Sequence, residues 1–237
     1  MPKRFNGQED PRRAFLLKAL AAGVFAASGL PAAHAQLFGR RPGRLPQDQS
    51  FYEISGEVRV NGRPATPQTR IVAGDRVETG GGAQAIFVIG DDAYLLRERS
   101  RFETSGSGLV ADVLRVATGA LLSVFGRRPK RMHLETAALG IRGTGLYVES
   151  DPEQDYVCTC YGEVSIAAAD DPSVSERVAT RHHDAPRYVL KSAARRIRPA
   201  PFINHTDLEL MLIEALVGRT TPFPLFDEDY GGARRRY

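Results

Sequence analysis

Two cysteines and a pair of histidines carry the chemistry on offer in this 237-residue chain. Cys158 and Cys160 are its two cysteines, set in the run Tyr156-Val157-Cys158-Thr159-Cys160-Tyr161. Aromatic and β-branched residues in such a run read as a strand. On a strand, positions i and i+2 share a face with Cα atoms roughly 6–7 Å apart. That is the outer limit for a disulfide, and the bridge would be strained and easily reduced. Two thiolates at about 2.3 Å from a tetrahedral zinc ion lie about 3.7 Å apart, which same-face side chains can reach. Farther on, Arg181-His182-His183-Asp184-Ala185-Pro186 offers imidazoles. If the strand ahead of them folds back on the one after Gly162, a histidine meets the cysteines. Cys158, Cys160, His182 and His183 are therefore the candidate metal ligands. The set suits zinc and is soft enough for Cu(I), a ferrous centre or haem. A plainer reading competes: two small thiols fill a core strand, and the histidines are surface residues before a proline turn.

The rest of the chain shows no constellation for catalysis. There is no Ser-His-Asp signature, no H-E-x-x-H and no paired carboxylates on a recognisable scaffold. Asp75, Asp91, Asp92 and Asp112 fall at turns or strand edges, where turn chemistry favours aspartate. The expectation is a binding module and not an enzyme, with thiol chemistry from a Cys–His pair the one route left open.

Charge narrows the partners. The chain carries 32 basic and 28 acidic residues, a net of +4. Five of the basic and two of the acidic residues lie in 1–35, which leaves the remainder at 27 against 26. A near-neutral body lacks the basic footprint that nucleic-acid binding needs, so no nucleic-acid partner is expected. Arg12-Arg13-Ala14-Phe15-Leu16-Leu17-Lys18 heads an apolar run that ends near Gly29, followed by Ala33-His34-Ala35. This is the layout of a secretory signal with a small-x-small cleavage site. Arg12 and Arg13 give it the look of a twin-arginine export signal, a receptor-read address and not an anchor. The mature chain is then expected in the periplasm, soluble and without a stable membrane span.

Residues 36–50 are mostly Gly, Pro, Arg and Gln and read as a flexible linker. From Phe51 short alternating segments recur with a turn signal about every ten residues, among them Asn61-Gly62, Gly74-Asp75 and Gly90-Asp91-Asp92. That rhythm predicts an all-β sandwich, barrel or solenoid. Gly140-Ile141-Arg142-Gly143-Thr144-Gly145 reads as a glycine turn, followed by a strand at Leu146–Glu149, a loop at Ser150–Asp155 and the cysteine strand. The spacing is not that of a phosphate loop, and a strand and not a helix follows. Arg142 and Thr144 are the candidate ligand contacts here, Arg142 through bidentate binding of a carboxylate. After a last strand at Arg187–Leu190, residues 192–201 are basic and proline-broken. Thr206-Asp207-Leu208-Glu209 then forms a capping box for a helix over about 206–217, with Gly218 placed to end it. Leu208, Met211, Leu212, Ala215 and Leu216 recur at helical spacing. So short a helix must dock on something, and the charged segment 227–237 reads as a disordered tail.

Several of these motifs stand in one order: Gly56-Glu57-Val58, Val72-x-Gly74-Asp75, Ile86-x-Val88 before Gly90-Asp91-Asp92, Gly119-Ala120-Leu121, Gly140-Ile141-Arg142-Gly143-Thr144 and Gly162-Glu163-Val164. In that order, across residues 51–166, they resemble the FecR-like periplasmic domain. The resemblance implies an all-β FecR-like β-sandwich or short β-solenoid, spanning 51–191 here, with the C-terminal α-helix docked on it. It also implies a signalling or binding role, with another periplasmic or envelope protein as partner. Family members that act as anti-sigma regulators have a cytoplasmic helical domain and a spanning helix. Here the domain follows an export signal directly, which implies a stand-alone version. The expected function is thus a non-catalytic exported binding module. The alternative is a metal- or haem-binding or thiol-redox protein built on the Cys-x-Cys and His-His residues, with zinc or another thiolate-binding metal as cofactor.

Overall fold

A computed structural model describes residues 42–223. The expected signal at 1–35, with Arg12 and Arg13, and the expected tail at 227–237 lie outside the described residues.

Among those described, alternation and turn signals produce fourteen strands and one helix: β1 (Phe51–Ser55), β2 (Val58–Val60), β3 (Arg63–Pro64), β4 (Arg76–Thr79), β5 (Gln84–Ile89), β6 (Asp92–Leu96), β7 (Arg101–Ser107), β8 (Val110–Val124), β9 (Lys130–His133), β10 (Ala137–Ser150), β11 (Gln154–Ala168), β12 (Ser175–Thr180), β13 (Arg187–Leu190), β14 (Ile197–Pro199) and α1 (Asp207–Leu216). They join in a single sheet whose main path runs β14-β13-β11-β10-β9-β8-β7-β4-β2-β3, with β1, β5, β6 and β12 attached beside it. The all-β class with one docked helix is as the sequence predicts. Three strands are longer than expected, at 14 or 15 residues, and β8 pairs with β9 in parallel. Residues 192–201, expected as linker, include β14, which pairs antiparallel with β13.

The largest correction concerns the glycine-rich segment. Gly140–Gly145 is not a turn between elements; it lies inside β10. Its register against β11 slips between Arg142 and Gly145 and again before Leu146. That is a β-bulge region, where an extra residue kinks the strand and raises its twist. Gly162 answers across the pair, at φ +85°, with space for a Cβ only 2.6 Å from the Thr144 side chain. A side chain there would strain the backbone and collide, and a Cβ on Gly145 would lie 2.4 Å from the Tyr161 ring, so these two glycines serve strand approach.

Residues expected as flexible linker also differ. Between 42 and 50 the chain lies on the body: the Leu45 amide donates to the Leu216 carbonyl at 2.8 Å, and the Ile71 amide to Ser50 Oγ at 2.9 Å.

Two apolar clusters sit on opposite faces of the sheet. One gathers Phe87, Tyr94, Phe102, Leu114, Val148, Val157 and Ile166. The other packs Leu95, Leu122, Tyr147, Tyr156, Cys158 and Cys160 under Leu210, Ile213 and Leu216 of α1. Thr206 caps the helix with the expected box, and Gly218 follows at φ +74°. The buried stripe is rotated from the expected one. Leu208 is 55% exposed, while Leu210 and Ile213 are fully buried. Glu209 and Glu214 go inward with them, because Arg97 meets Glu209 at 2.7 Å and Arg219 meets Glu214 at 2.7 Å. Paired charges can be buried where lone ones cannot.

At the hairpin end of β10 and β11, buried Asp155 accepts from the Thr136 amide at 2.6 Å and from Ser150 Oγ at 2.9 Å. Asp155→Ala would orphan both donors, and at about 1–3 kcal/mol per buried unsatisfied group the loss should be roughly 3 kcal/mol. A urea titration checks it, and an unchanged midpoint would contradict the role.

Candidate metal centre

The cysteine strand is built to aim both thiols at one point. Leu146 of β10 stands opposite Thr159, and Gly145 opposite Tyr161, which leaves Cys160 as the extra residue of the bulge. Bulges re-aim side chains in this way. On its other side β11 pairs with β13 up to Val157 and with β12 from Gly162 onward. The stretch between is an open notch in the edge, and residues 181–186 cross it. The His183 amide donates to the Cys160 carbonyl at 2.9 Å. Asp184 Oδ2 accepts from the amides of Arg181 and His182 at 3.1 and 3.3 Å. His183 sits at φ +54°, a left-handed conformation that histidine adopts more readily than most residues.

A fourth donor arrives from the segment before α1. His205 immediately precedes the N-cap, with Asn204 at φ +60° turning the chain in. Cys158 Sγ lies 3.5 Å from His183 Nδ1, Cys160 Sγ 3.4 Å from His205 Nε2, and the two imidazole nitrogens are 3.2 Å apart. All four ligand atoms lie within 4.8 Å of one another, and all four residues are buried. Tetrahedral zinc with bonds of about 2.3 Å to sulfur and 2.0–2.1 Å to nitrogen puts S and N about 3.6 Å apart and N and N about 3.3 Å apart. The three separations fit that figure.

The outer contacts also fit a metal. His183 Nε2 is 2.9 Å from Asp207 Oδ1, and His205 Nδ1 is 2.7 Å from the Ile203 carbonyl. Each acceptor holds a proton on the far nitrogen and frees the near one as a ligand, the arrangement usual around metal-bound histidine. Tyr147, opposite Cys158 in the register, stacks on His205 at 4.4 Å and 22°. Phe202 closes over both imidazoles at 4.5 and 4.6 Å.

Of the four ligands expected from sequence, the structure brings together Cys158, Cys160 and His183. His182 is turned away: its Nε2 meets Asp207 Oδ2 at 2.9 Å and its ring stacks on Phe223 at 4.1 Å. It belongs to the outer support, through Asp207. His205 was not anticipated, although an imidazole one residue before a capping box was the available signal. Arg142 and Thr144 do not converge either. Arg142 is exposed on β10, beside Arg131 and Glu163, whereas Thr144 is fully buried and its hydroxyl has no hydrogen-bond partner. Four donors this close leave no room for a porphyrin, so the haem alternative does not fit.

The two thiols differ in acidity. The hydrogen bond from Cys160, then those from His183 and His205, pulls Cys158 down to about 4 against the effect of burial. Burial and the neighbouring Cys158 push Cys160 up. Burial works against a charge on His183, but Asp207 and Cys158 overcome it and lift its pKa to about 8. The metal-free protein at neutral pH thus holds a Cys158 thiolate beside a His183 imidazolium. The sign follows from each shift. The thiolate's stabilisation is lost as pH falls through about 4. That of the imidazolium is complete below its ordinary value and lost as pH rises through about 8. Loading a metal near pH 7 must displace the protons of Cys160 and His183, so about two protons should leave per ion. Calorimetry in buffers of different ionisation enthalpy checks this; release of none would contradict it.

Comparison with known proteins adds little. No family model matches the chain, and no curated protein does. Two solved structures of a "putative anti-sigma factor" from Parabacteroides distasonis, at 1.65 and 2.50 Å, are similar to part of the chain, each with 14% identity and a TM-score of 0.41. The similarity covers 49% of this chain and 55% of that one, so the chain spans about half the length of the proteins it matches. Among the described residues no helix is long and apolar enough to cross a membrane.

Proposed function

We propose that the protein is a non-catalytic binding module of FecR-like type whose structural centre is a tetrahedral transition-metal site, with zinc the best fit. The observation that carries this is the convergence of Cys158, Cys160, His183 and His205, spaced as tetrahedral ligands with both histidines supported from behind. Two thiolates and two imidazoles favour zinc or Cu(I) over harder ions. A full set of four protein ligands in a buried pocket is the pattern of a structural site, which adds folding energy and keeps no position for substrate. The FecR-like motif order in residues 51–166 supports a role in signalling through another envelope protein, and the paired Arg12 and Arg13 support export to the periplasm.

The test is metal analysis of the exported protein, purified without chelators or affinity metal. The expected result is about one equivalent per chain, lost in the Cys158→Ser/Cys160→Ser variant. Cobalt substitution should give the intense absorption of thiolate-bound tetrahedral Co(II). A chain that stays metal-free in zinc-replete medium and takes up no cobalt would overturn the reading.

A further inference from the structure

The centre is joined to α1 by two residues that straddle the start of the helix. His205, a ligand, lies one residue before the N-cap Thr206, and Asp207, which backs His183, is the first helical residue. We propose that filling the centre and seating α1 on the sheet are one coupled event, with Asp207 as the link. This rests on the metal reading above and adds what the metal controls.

Three observations carry it. First, α1 is ten residues long, and an isolated helix of that length is marginal in water. Second, its seat is partly polar. Glu209 and Glu214 are buried against Arg97, Arg219 and Tyr161, and buried ion pairs recover little beyond the cost of desolvating them. Third, the lead-in 200–206 is irregular, tied down by Tyr156 Oη donating to the Pro201 carbonyl at 2.9 Å and by the Ala200 amide donating to the Pro186 carbonyl at 3.0 Å. The metal joins this segment to β11 and to the 181–186 crossing at the same point. Without it, the start of α1 loses that joint tie to β11 and to the 181–186 crossing. What lies beneath is apolar: Ile86, Leu95, Leu122 and Val124. Metal occupancy therefore governs access to one face of the sheet.

Hydrogen exchange on the full chain, with and without bound zinc, tests the coupling, with stoichiometry measured on the same samples. Amides of 203–217 should exchange about tenfold or more faster without metal, while the middle of β8 and β10 keeps its protection. Two variants, each measured without metal and at saturating zinc, separate coupling from plain helix stability. Thr206→Ala removes the cap and should speed exchange in both states by a similar factor. Asp207→Ala should narrow the difference between the states, because one of the two connections is cut. One equivalent of zinc with unchanged exchange at 203–217 would overturn the coupling and leave the metal reading standing. Asp207→Ala with the difference intact would overturn the role of Asp207. A chain that binds no zinc would overturn both readings.

Discussion

His205→Ala should weaken the protein's hold on its metal about a hundredfold or more, and His182→Ala should leave the metal in place. The two histidines are close in space but differ in what they face. His205 Nε2 is 3.4 Å from Cys160 Sγ and 3.2 Å from His183 Nδ1, inside the ligand figure. His182 Nε2 meets Asp207 Oδ2 at 2.9 Å. A structural zinc centre is worth about 10–16 kcal/mol across its four ligands, so one ligand accounts for roughly 3 kcal/mol and its loss weakens affinity about a hundredfold or more. Loss of a direct outer partner costs about 10–100-fold; His182 is one step farther out, behind Asp207, and its loss should cost about tenfold or less. Competition against a chromophoric chelator measures both. Equal affinity for the His205→Ala and unsubstituted proteins would remove His205 from the ligand set.

Lys130→Met should be the most damaging single change away from the centre. Lys130 Nζ meets Asp92 Oδ2 at 2.7 Å, with the side chains 3% and 5% exposed, and donates to the Ala111 carbonyl at 2.6 Å. Burial pushes the Asp92 pKa up, and Lys130 is the first group that draws it back. Taking the ammonium away leaves an unpaired carboxylate in the interior, which costs about 3–5 kcal/mol. The melting temperature should fall by roughly 6–20 °C at about 2–4 °C per kcal/mol for a domain this size. Lys130→Met with Asp92→Asn should recover most of the loss, since the amide oxygen still accepts the Gly126 amide, now at 2.9 Å from Asp92 Oδ1. A single variant as stable as the parent would show that the pair contributes nothing.

Much of the fold could be read from short-range pattern. Alternation and turn residues located most strands, and Thr206-Asp207-Leu208-Glu209 located the helix to within a residue, because capping is local chemistry. The continuous run of β10 through Gly140–Gly145 could not be read the same way. Glycine marks turns and bulges alike, and which one forms is decided by the partner strand. The rotated face of α1 has a similar cause: Glu209 and Glu214 are buried by arginines more than a hundred residues away or beyond the helix end. At the centre, Cys158 and Cys160 were legible as a same-strand pair, and His182 and His183 as two imidazoles of which one could meet them; which one is decided by the course of residues 181–186 across the notch. His205 was not, since only the tertiary course of 200–206 brings it back to β11.

The order of the ligands along the chain has a consequence for biosynthesis. Cys160 precedes His205 by 45 residues, and synthesis at about 5–20 residues per second leaves several seconds between them. During that time both thiols exist without the imidazole that completes their site, and with α1 not yet made. A chain threaded unfolded into an oxidising compartment would present bare cysteines throughout that delay. One that completes its last 80 or so residues in a reducing compartment, with metal at hand, would emerge with its sulfurs already occupied.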